Sequence, residues 1–315
     1  MSFTREELKT KRVAVLLGGL SVEREISLRT GAAVSGALKG LGYQGVELDV
    51  DRTLPAKLLE ARIDVAFIAL HGRFGEDGSV QGLLESMFIP YTGSGVLASA
   101  VGMEKVFSKQ TFLAHGIPTP AHAAFTTVAE ALAGVDALPF GFPVVVKPSR
   151  EGSSVGVHIC KTRDQYKAAV EDAGKYAGLL MVEQYIKGRE VQGAVLDNQS
   201  LGAIEVVPDQ SHEFYDYEAK YKAGSGTRYL FPAPLPPDQY QRVNEVCLAA
   251  HKALGCSGAT RSDVIVTEKG EAVILEVNTL PGMTATSLLP KIAAGMGIDF
   301  PSLCERLLLG ASLKS

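Results

Sequence analysis

The stretch KPSREGSSVG, residues 147–156, lies between the apolar run FPVVV and the β-branched run VHIC. Its last five residues match G-x-S-x-G, the pattern around the nucleophilic serine of α/β-hydrolases, which would make Ser154 the nucleophile. That pattern needs a strand, a sharp turn at the serine and then a helix. Here a second strand is predicted after the turn, and the candidate triad partners Asp238 and His251 lie on a predicted helix with nothing to orient them. The context therefore predicts a β-hairpin and disfavours a serine hydrolase.

A hairpin tip rich in glycine and serine presents backbone N–H groups and hydroxyls that bind anions. Lys147 would place a positive charge beside it. The alternative is a solvated turn, which would be favoured if the hairpin stood alone. No G-x-x-x-x-G-K-[ST] motif is present, and GSGVLA at 93–98 lacks both a clear preceding strand and an acidic residue about 20 positions on. A Rossmann dehydrogenase is therefore disfavoured as well.

The composition limits the possible partners and compartments. A chain of 315 residues predicts two or three domains. The net charge of −4 and the lack of a Lys/Arg-rich block give no support for a nucleic-acid or anionic-membrane partner. The four cysteines are far apart, which is typical of free thiols in a reducing cytoplasm. The charged start of the chain and the absence of a membrane-length apolar run lead us to expect a cytoplasmic protein.

Apolar runs and helical patterns alternate up to about Ser99. The runs RVAVLL, GVELDV and DVAFIAL predict strands, and GAAVSGALKGLG and PAKLLEAR predict helices between them. This alternation indicates an α/β unit with a doubly wound parallel sheet. AVGMEKVFSKQTFLAHG predicts one helix that ends at Gly116, and IPTP is a plausible linker.

The pattern changes after residue 140, where short strands follow one another with few long helices. This succession predicts an antiparallel sheet, so that the C-terminal part is α+β. EFYDYEAKYKAGSGTRY, residues 213–229, predicts a long surface loop of the kind that often serves as a lid. DQYQRVNEVCLAAHKALG predicts an amphipathic helix.

ATRSDVIVTEKGEAVILEVN, residues 259–278, predicts a hairpin. If Lys269-Gly270 is a two-residue loop, residues whose numbers sum to 539 face each other, which pairs Asp263 with Glu276. Arg261 and Asn278 then share the same face. The opposite, apolar face would carry Val264, Val266, Val273, Leu275 and Val277.

Two opposed carboxylates repel each other unless positive charge lies between them. Oxygen ligands of this kind suit Mg²⁺ together with phosphate. The alternative is a solvated polar face, and a metal–phosphate site is the stronger hypothesis.

Seven segments together resemble one known family. They are LLGGLSVEREISLRTG, ALHGRFGEDGSVQGLLE, YTGSGVLASAVGMEK, VVVKPSREGSSVGV, FYDYEAKY, RSDV and LEVNTLPGMTATSL. In this order they are similar to the D-alanine–D-alanine ligases of the ATP-grasp superfamily. The resemblance extends from about Arg12 to Phe300, nearly the whole chain.

The resemblance implies a fold and a reaction. The fold would be an ATP-grasp fold preceded by a Rossmann-like preATP-grasp domain at 1–104, with a central subdomain at 105–190 and a C-terminal subdomain at 191–315. ATP would phosphorylate the carboxylate of one D-alanine, and the amine of a second would attack the acyl phosphate, giving the dipeptide for peptidoglycan. ATP, two Mg²⁺ or Mn²⁺ ions and a cytoplasmic homodimer are implied as well. The nearest rivals are ligases that form an ester with D-lactate or that use another amino acid.

The resemblance also assigns site residues. Metal ligands would be Asp263, Glu276, which would bridge two ions, and Asn278. Phosphate oxygens would be held by Lys105, Lys147, Lys220 and the hairpin serines Ser153 and Ser154. The rest of the ATP site would comprise Glu183, Tyr185 and Ile186 at adenine, Glu190 at the ribose, and Phe214. The substrate residues would be Glu23, His71, Arg261 at the oxyanion, Gly282, Ser287 and the Leu288 backbone. Tyr221, Ser153 and Glu23 would form a hydrogen-bonded triad that closes both lids.

Several of these residues have simpler interpretations. Glu23 could complement a helix dipole, and Glu183 and Glu190 could be surface residues. Lys105 could be a solvated helix residue and His71 a turn residue. Two departures border the second substrate's site: TRSD stands where the family often has Gly-Arg-Ile-Asp, and Leu280 where it often has serine.

Overall fold

The computed structural model describes residues 3–176, 178–207 and 226–314. The strands are β1 Arg12–Leu17, β2 Gln44–Asp49, β3 Val65–Ile68, β4 His122–Phe125, β5 Val144–Pro148, β6 His158–Cys160, β7 Leu180–Gln184, β8 Gly188–Leu196, β9 Gln199–Val207, β10 Arg228–Leu230, β11 Ala259–Thr267 and β12 Ala272–Asn278. The α-helices are α1 Arg5–Lys9, α2 Arg24–Gly40, α3 Leu54–Glu60, α4 Ser79–Ser86, α5 Val96–Met103, α6 Lys105–Ala114, α7 Val128–Ala133, α8 Arg163–Ala173, α9 Pro237–Ala253, α10 Leu288–Gly295 and α11 Phe300–Leu309. None of the helices in these ranges is long and apolar enough to cross a bilayer.

The first unit is built on a parallel sheet of order β2-β1-β3. The side chains of β1 alternate between two cores, with Val13 and Val15 on the α2 side and Ala14 and Leu16 on the side of α3 and α4. Burial on both faces explains why β1 is a continuous apolar run and not an alternating one. The predicted doubly wound arrangement is confirmed.

The single helix predicted through AVGMEKVFSKQTFLAHG is wrong, because the chain forms α5 and α6 with a break between them. Glu104 at the break has extended backbone angles, φ −95° and ψ 98°. Its carboxylate accepts the backbone N–H of Val106, which satisfies one of the free N–H groups at the start of α6. The break makes Lys105 the first residue of α6.

The remaining strands form two antiparallel sheets, of order β4-β7-β5-β6 and β10-β9-β8-β11-β12. Strands β5 and β6 pair directly, so the segment between them is a hairpin tip, and the element that follows Ser154 is a strand and not a helix. The predicted antiparallel pairing and the rejection of a nucleophile elbow are both confirmed. Of the predicted loop at 213–229, residues 213–225 lie outside the described residues, and Arg228 and Tyr229 belong to β10, not to a loop.

The hairpin of β11 and β12 differs from the predicted one. Its loop has three residues, since Thr267 pairs with Glu271, whose carbonyl accepts the Thr267 N–H at 2.9 Å. The register then shifts between Asp263 and Val264, a β-bulge that restores the pairing of Asp263 with Glu276.

The bulge corrects the composition of the apolar face. Ala272 and Ile274 are buried opposite Val266 and Val264, whereas Val273 and Leu275 are only partly buried. The assignment of Val273 and Leu275 to the core was therefore wrong. Val264, Val266 and Val277 are buried as predicted.

The end of the chain packs against its beginning. Side chains of α10 and α11 share one core with α2 and β1. Tyr43 OH donates to Glu305 Oε1 at 2.6 Å, and Arg5 lies 2.5 Å from the other oxygen of Glu305. The C-terminal helices therefore stabilise the first unit.

His251 on α9 is a fully buried histidine. Its Nδ1 lies 2.8 Å from Thr260 Oγ1 on β11, and its Nε2 has no hydrogen-bond partner within the described ranges. Protonation would bury an unpaired charge, and burial accordingly lowers the pKa of His251 to about 4.

This pKa makes the stability of the fold sensitive to acid. As the pH falls from about 6.5 to about 4, the unfolded chain takes up a proton at this position and the folded chain does not, so the free energy of unfolding falls by up to about 3 kcal/mol. His251→Asn should show a shallower loss of stability between pH 7 and pH 5 in urea denaturation. The matched control is His115→Asn at an exposed position, for which the wild-type slope is expected. An unchanged slope in His251→Asn would contradict the assignment.

Candidate functional site

The tip of the β5–β6 hairpin has an unusual backbone. Ser153 and Ser154 both have left-handed φ angles, 52° and 62°, and Gly156 follows at 67°. Glycine adopts this conformation readily, whereas it is unfavourable for serine. Ser153 Oγ donates a hydrogen bond to Glu23 Oε1 at 2.6 Å, which joins the hairpin to the first unit.

Glu23 stands immediately before α2 but does not cap the helix with its side chain. Its backbone N–H donates to Ser21 Oγ, and Ser21 Oγ donates to the carbonyl of His71 at 2.7 Å. A Cβ at Gly72 would lie 2.6 Å from Glu23 Oε2, so glycine is required there. Two members of the predicted triad, Glu23 and Ser153, are thus in contact, and Tyr221 lies outside the described residues.

Glu104 fixes the base of the hairpin, a role that the sequence analysis missed. Its Oε2 accepts hydrogen bonds from Ser149 Oγ at 3.0 Å and from Arg150 Nε at 2.7 Å. The Lys105 N–H donates to the Ser149 carbonyl, and Lys105 Nζ donates to the Glu151 carbonyl at 2.7 Å. The start of α6 and the hairpin therefore form one connected structure.

The polar face of β11 and β12 brings opposite charges together. Asp263 and Glu276 are direct cross-strand partners. Arg261 Nε lies 3.2 Å from Asp263 Oδ1, and Lys105 Nζ lies 3.2 Å from Glu276 Oε2. Lys105 is therefore not a freely solvated helix residue, and the positive charge required beside the two carboxylates is present.

The oxygen ligands on this face fit magnesium. The part of the chain that the structure describes holds no group of three or more His, Cys, Asp or Glu side chains. A metal ion on this face would have only the two carboxylates of Asp263 and Glu276 and the Asn278 amide as protein ligands. Asn278 Oδ1 accepts the Leu280 N–H at 3.0 Å, and an amide oxygen retains a second lone pair. One or two carboxylates with phosphate oxygens are the usual ligands of Mg²⁺ in nucleotide sites.

Gln192 is a second residue that sequence analysis missed. It lies on β8 directly opposite Asp263 and is fully buried. Neither its amide nitrogen nor its amide oxygen has a hydrogen-bond partner among the residues that the structure describes. Only the antiparallel pairing of β8 with β11 places this amide beside the polar face of β11 and β12, so no local sequence signal could identify it.

A buried ion cluster lies beside the hairpin and comprises Lys109, Lys147 and Glu183. Lys147 Nζ is 2.5 Å from Glu183 Oε1, and Lys109 Nζ is 2.9 Å from Glu183 Oε2. Burial alone would raise the pKa of Glu183, but the two lysines outweigh it and lower that pKa to about 2. Glu183 is therefore ionised, and its interpretation as a surface residue is wrong.

Lys109 was also missed. Burial lowers its pKa to about 8, although Glu183 acts to raise it, so it is still mainly protonated at pH 7. The available signal was its helical spacing from the buried residues Val106 and Phe112.

The residues predicted at adenine and the ribose lie around the β7–β8 connection. Tyr185 and Ile186 are half-buried there, and the Tyr185 N–H donates to the Pro143 carbonyl at 3.3 Å. Glu190 is half-buried on β8, two residues from Gln192 and on the same face of the sheet. Phe214 and Lys220 lie outside the described residues.

The residues predicted for the second substrate lie in two groups. His71 Nε2 is 3.0 Å from Thr30 Oγ1, and His71 Nδ1 is 3.3 Å from Glu76 Oε1, so this histidine is buried and paired. It shares a largely apolar cavity of about 30 Å³ with Leu280.

The other group stands at the start of α10. Ser287 immediately precedes the helix, Leu288 is its first residue, and Ser287 Oγ accepts the Thr284 N–H at 3.1 Å. A Cβ at Gly282 would lie 2.7 Å from Ser287 Oγ, so this close approach needs glycine. The N-terminus of a helix favours a carboxylate.

Two protein-family models match the sequence. "D-ala D-ala ligase C-terminus" matches residues 111–309, and "D-ala D-ala ligase N-terminus" matches residues 46–94. A D-alanine–D-alanine ligase of Anaeromyxobacter sp. (strain K) is 58% identical over 305 residues, covering 97% of this chain and 98% of the relative. A D-alanine–D-alanine ligase of Geotalea uraniireducens (strain Rf4) is 54% identical over 311 residues, covering 99% of each chain.

Solved structures agree with these sequence relatives. The crystal structure of the D-alanine–D-alanine ligase from Bacillus anthracis superposes with a TM-score of 0.84 at 38% identity, covering 95% of this chain and 97% of that one. The structure of the same ligase complexed with ATP superposes with a TM-score of 0.80 at 37% identity, covering 95% of this chain and 96% of that one. The chain therefore belongs to the D-alanine–D-alanine ligase family and has its ATP-grasp fold.

Proposed function

We propose that the chain joins two molecules of D-alanine, with ATP converted to ADP and phosphate, and so supplies the dipeptide for peptidoglycan. The observation that carries this proposal is the 2.6 Å hydrogen bond from Ser153 to Glu23. This contact supports the proposal because it joins the hairpin that we expect to bind phosphate directly to a carboxylate suited to a substrate ammonium group. A nucleotide phosphate and an amino acid bound there would be neighbours, as carboxylate phosphorylation requires.

In the first step a carboxylate oxygen of D-alanine attacks the γ-phosphorus, and the bond from that phosphorus to ADP breaks. Glu23 holds the ammonium group of this D-alanine, and Lys105 and Lys147 hold phosphate oxygens. The position of Lys105 supports this role, because its Nζ donates to the Glu151 carbonyl in the hairpin and also lies 3.2 Å from Glu276 Oε2. Two magnesium ions, when held by Asp263, Glu276 and Asn278, would neutralise phosphate charge as Lewis acids.

In the second step the amine of the other D-alanine attacks the acyl carbon, and phosphate leaves. The N-terminus of α10, with Ser287 and the Leu288 backbone, holds the carboxylate of this second substrate. Arg261 stabilises the oxyanion that forms on the acyl oxygen. His71 is assigned near the second D-alanine, and its burial and its backbone contact with Ser21, the residue that also accepts the Glu23 N–H, support this position.

The same proposal includes the organisation of the molecule. We assign the three units to residues 1–104, 105–190 and 191–315, with the last also contributing α10 and α11 to the first unit's core. The four cysteines are free and buried, which supports a cytoplasmic location. A homodimer and roles in cell wall biogenesis and cell shape follow from the family resemblance.

The charge of Glu276 should be essential to turnover. Glu276→Gln should lower ADP release in the presence of D-alanine and Mg²⁺ by roughly 100-fold or more, because metal stabilisation of phosphoryl charge is worth several kcal/mol. Glu271→Gln, at the exposed turn of the same hairpin, is the matched control and should retain activity. Near-normal turnover of Glu276→Gln at saturating Mg²⁺ would refute the metal assignment. Release of ADP from the wild type without D-alanine at the full rate would refute the ligase function.

The contact between Ser153 and Glu23 should hold the hairpin closed. Ser153→Ala removes one hydrogen bond to a charged group, so dipeptide synthesis should fall by about tenfold or more. ATP hydrolysis without dipeptide should rise as water reaches the acyl phosphate. Mass spectrometry of the products with phosphate assays measures both, and Ser79→Ala at an exposed helix start is the control. Unchanged coupling in Ser153→Ala would show that the contact serves only packing.

A further inference from the structure

Lys109 is a fully buried lysine whose contacts the proposed reaction does not use. Its Nζ lies 2.9 Å from Glu183 Oε2 and donates to Thr119 Oγ1 at 2.9 Å. Thr119 Oγ1 in turn donates to the Ile274 carbonyl on β12 at 2.8 Å. Burying an ammonium group is costly unless it is paired, so these contacts fix Lys109 in one position.

The charges of the cluster do not balance. Lys109 and Lys147 each approach one oxygen of the single carboxylate of Glu183. His122 faces Glu183 across the β4–β7 pair, and burial together with Lys109 lowers the pKa of His122, so this imidazole is neutral at pH 7. Glu276 also acts on Lys109, but its carboxylate is paired with Lys105. The two ammonium groups of Lys109 and Lys147 with the one carboxylate of Glu183 therefore leave one positive charge in a buried place, which an anion would stabilise.

We propose that Lys109 is a positioning residue for Lys147 in nucleotide binding, an inference that rests on the proposed function. Lys109 occupies Glu183 Oε2, so Glu183 cannot neutralise Lys147 fully, and the charge of Lys147 stays available to the ATP phosphates. Without Lys109, Glu183 and Lys147 form a neutral one-to-one pair. Lys109 thus acts on the phosphates through Glu183 and does not touch the nucleotide itself.

The test measures binding of ATP with Mg²⁺ and of adenosine to the full chain. Lys109→Gln removes the charge and keeps a polar side chain, and ATP should bind about tenfold more weakly, as for loss of a charge-assisted contact. Adenosine, which has no phosphate, should bind as to the wild type. Lys167→Gln, an exposed lysine on α8, is the charge-matched control and should leave both affinities unchanged.

A second substitution distinguishes positioning from mere support of the fold. Because Glu183 is itself assigned to adenine, the effect of Lys109→Gln is measured again in a Glu183→Gln background. There the partner that would neutralise Lys147 is already gone, so Lys109→Gln should cause no further loss of ATP affinity, whereas a structural role predicts a further loss. Equal ATP affinity of Lys109→Gln and wild type, equal loss of adenosine binding, or a further loss in the Glu183→Gln background would each overturn the inference. A wild-type chain that binds no ATP would instead overturn the proposed function.

Discussion

The direct opposition of Asp263 and Glu276 is the constraint around which the site is organised. Two carboxylates on neighbouring strands repel each other, and the fold accommodates them by bringing a cation to each. Arg261 comes from the same strand as Asp263. Lys105 comes from α6, and Glu104 at the start of this helix binds the base of the β5–β6 hairpin. Balancing two carboxylates therefore also fixes where the hairpin stands.

The far end of the hairpin meets the first unit at Glu23. The backbone there holds Ser153 and Ser154 in the left-handed region, and the glycine at 72 leaves room for the Glu23 carboxylate. The site is thus assembled from three separate sheets, none of which contains it alone.

The sequence predicted the parts of this arrangement that depend on local pattern. The apolar run of β1, the hairpin at 147–156 and the pairing of Asp263 with Glu276 follow from side-chain alternation and turn chemistry. The pairing of Asp263 with Glu276 was predicted from a two-residue loop, whereas the loop has three residues. The longer loop shifts the register by one residue, and the bulge shifts it back, so the predicted pair is still formed. A bulge leaves no clear sequence signal, which is why Val273 and Leu275 were assigned to the wrong face.

Residues that act through distant partners could not be predicted. Gln192 comes to Asp263 only through the β8–β11 pairing, and Lys109 reaches Glu183 from a different element. The break at Glu104 was missed because helical propensity continues across it, while the competing contacts to Ser149 and Arg150 are tertiary. The sequence therefore pointed to candidate ligand-binding residues more readily than to the buried residues that position them.

The central claim is that this chain activates a carboxylate by phosphorylation and then transfers the acyl group to an amine. The most direct measurement uses D-alanine labelled with ¹⁸O in its carboxylate, together with unlabelled ATP, and follows the inorganic phosphate by mass spectrometry. The account predicts that one labelled oxygen passes from D-alanine to phosphate for each dipeptide formed, because the attacking oxygen leaves with the phosphoryl group. Dipeptide formation with unlabelled phosphate would contradict it.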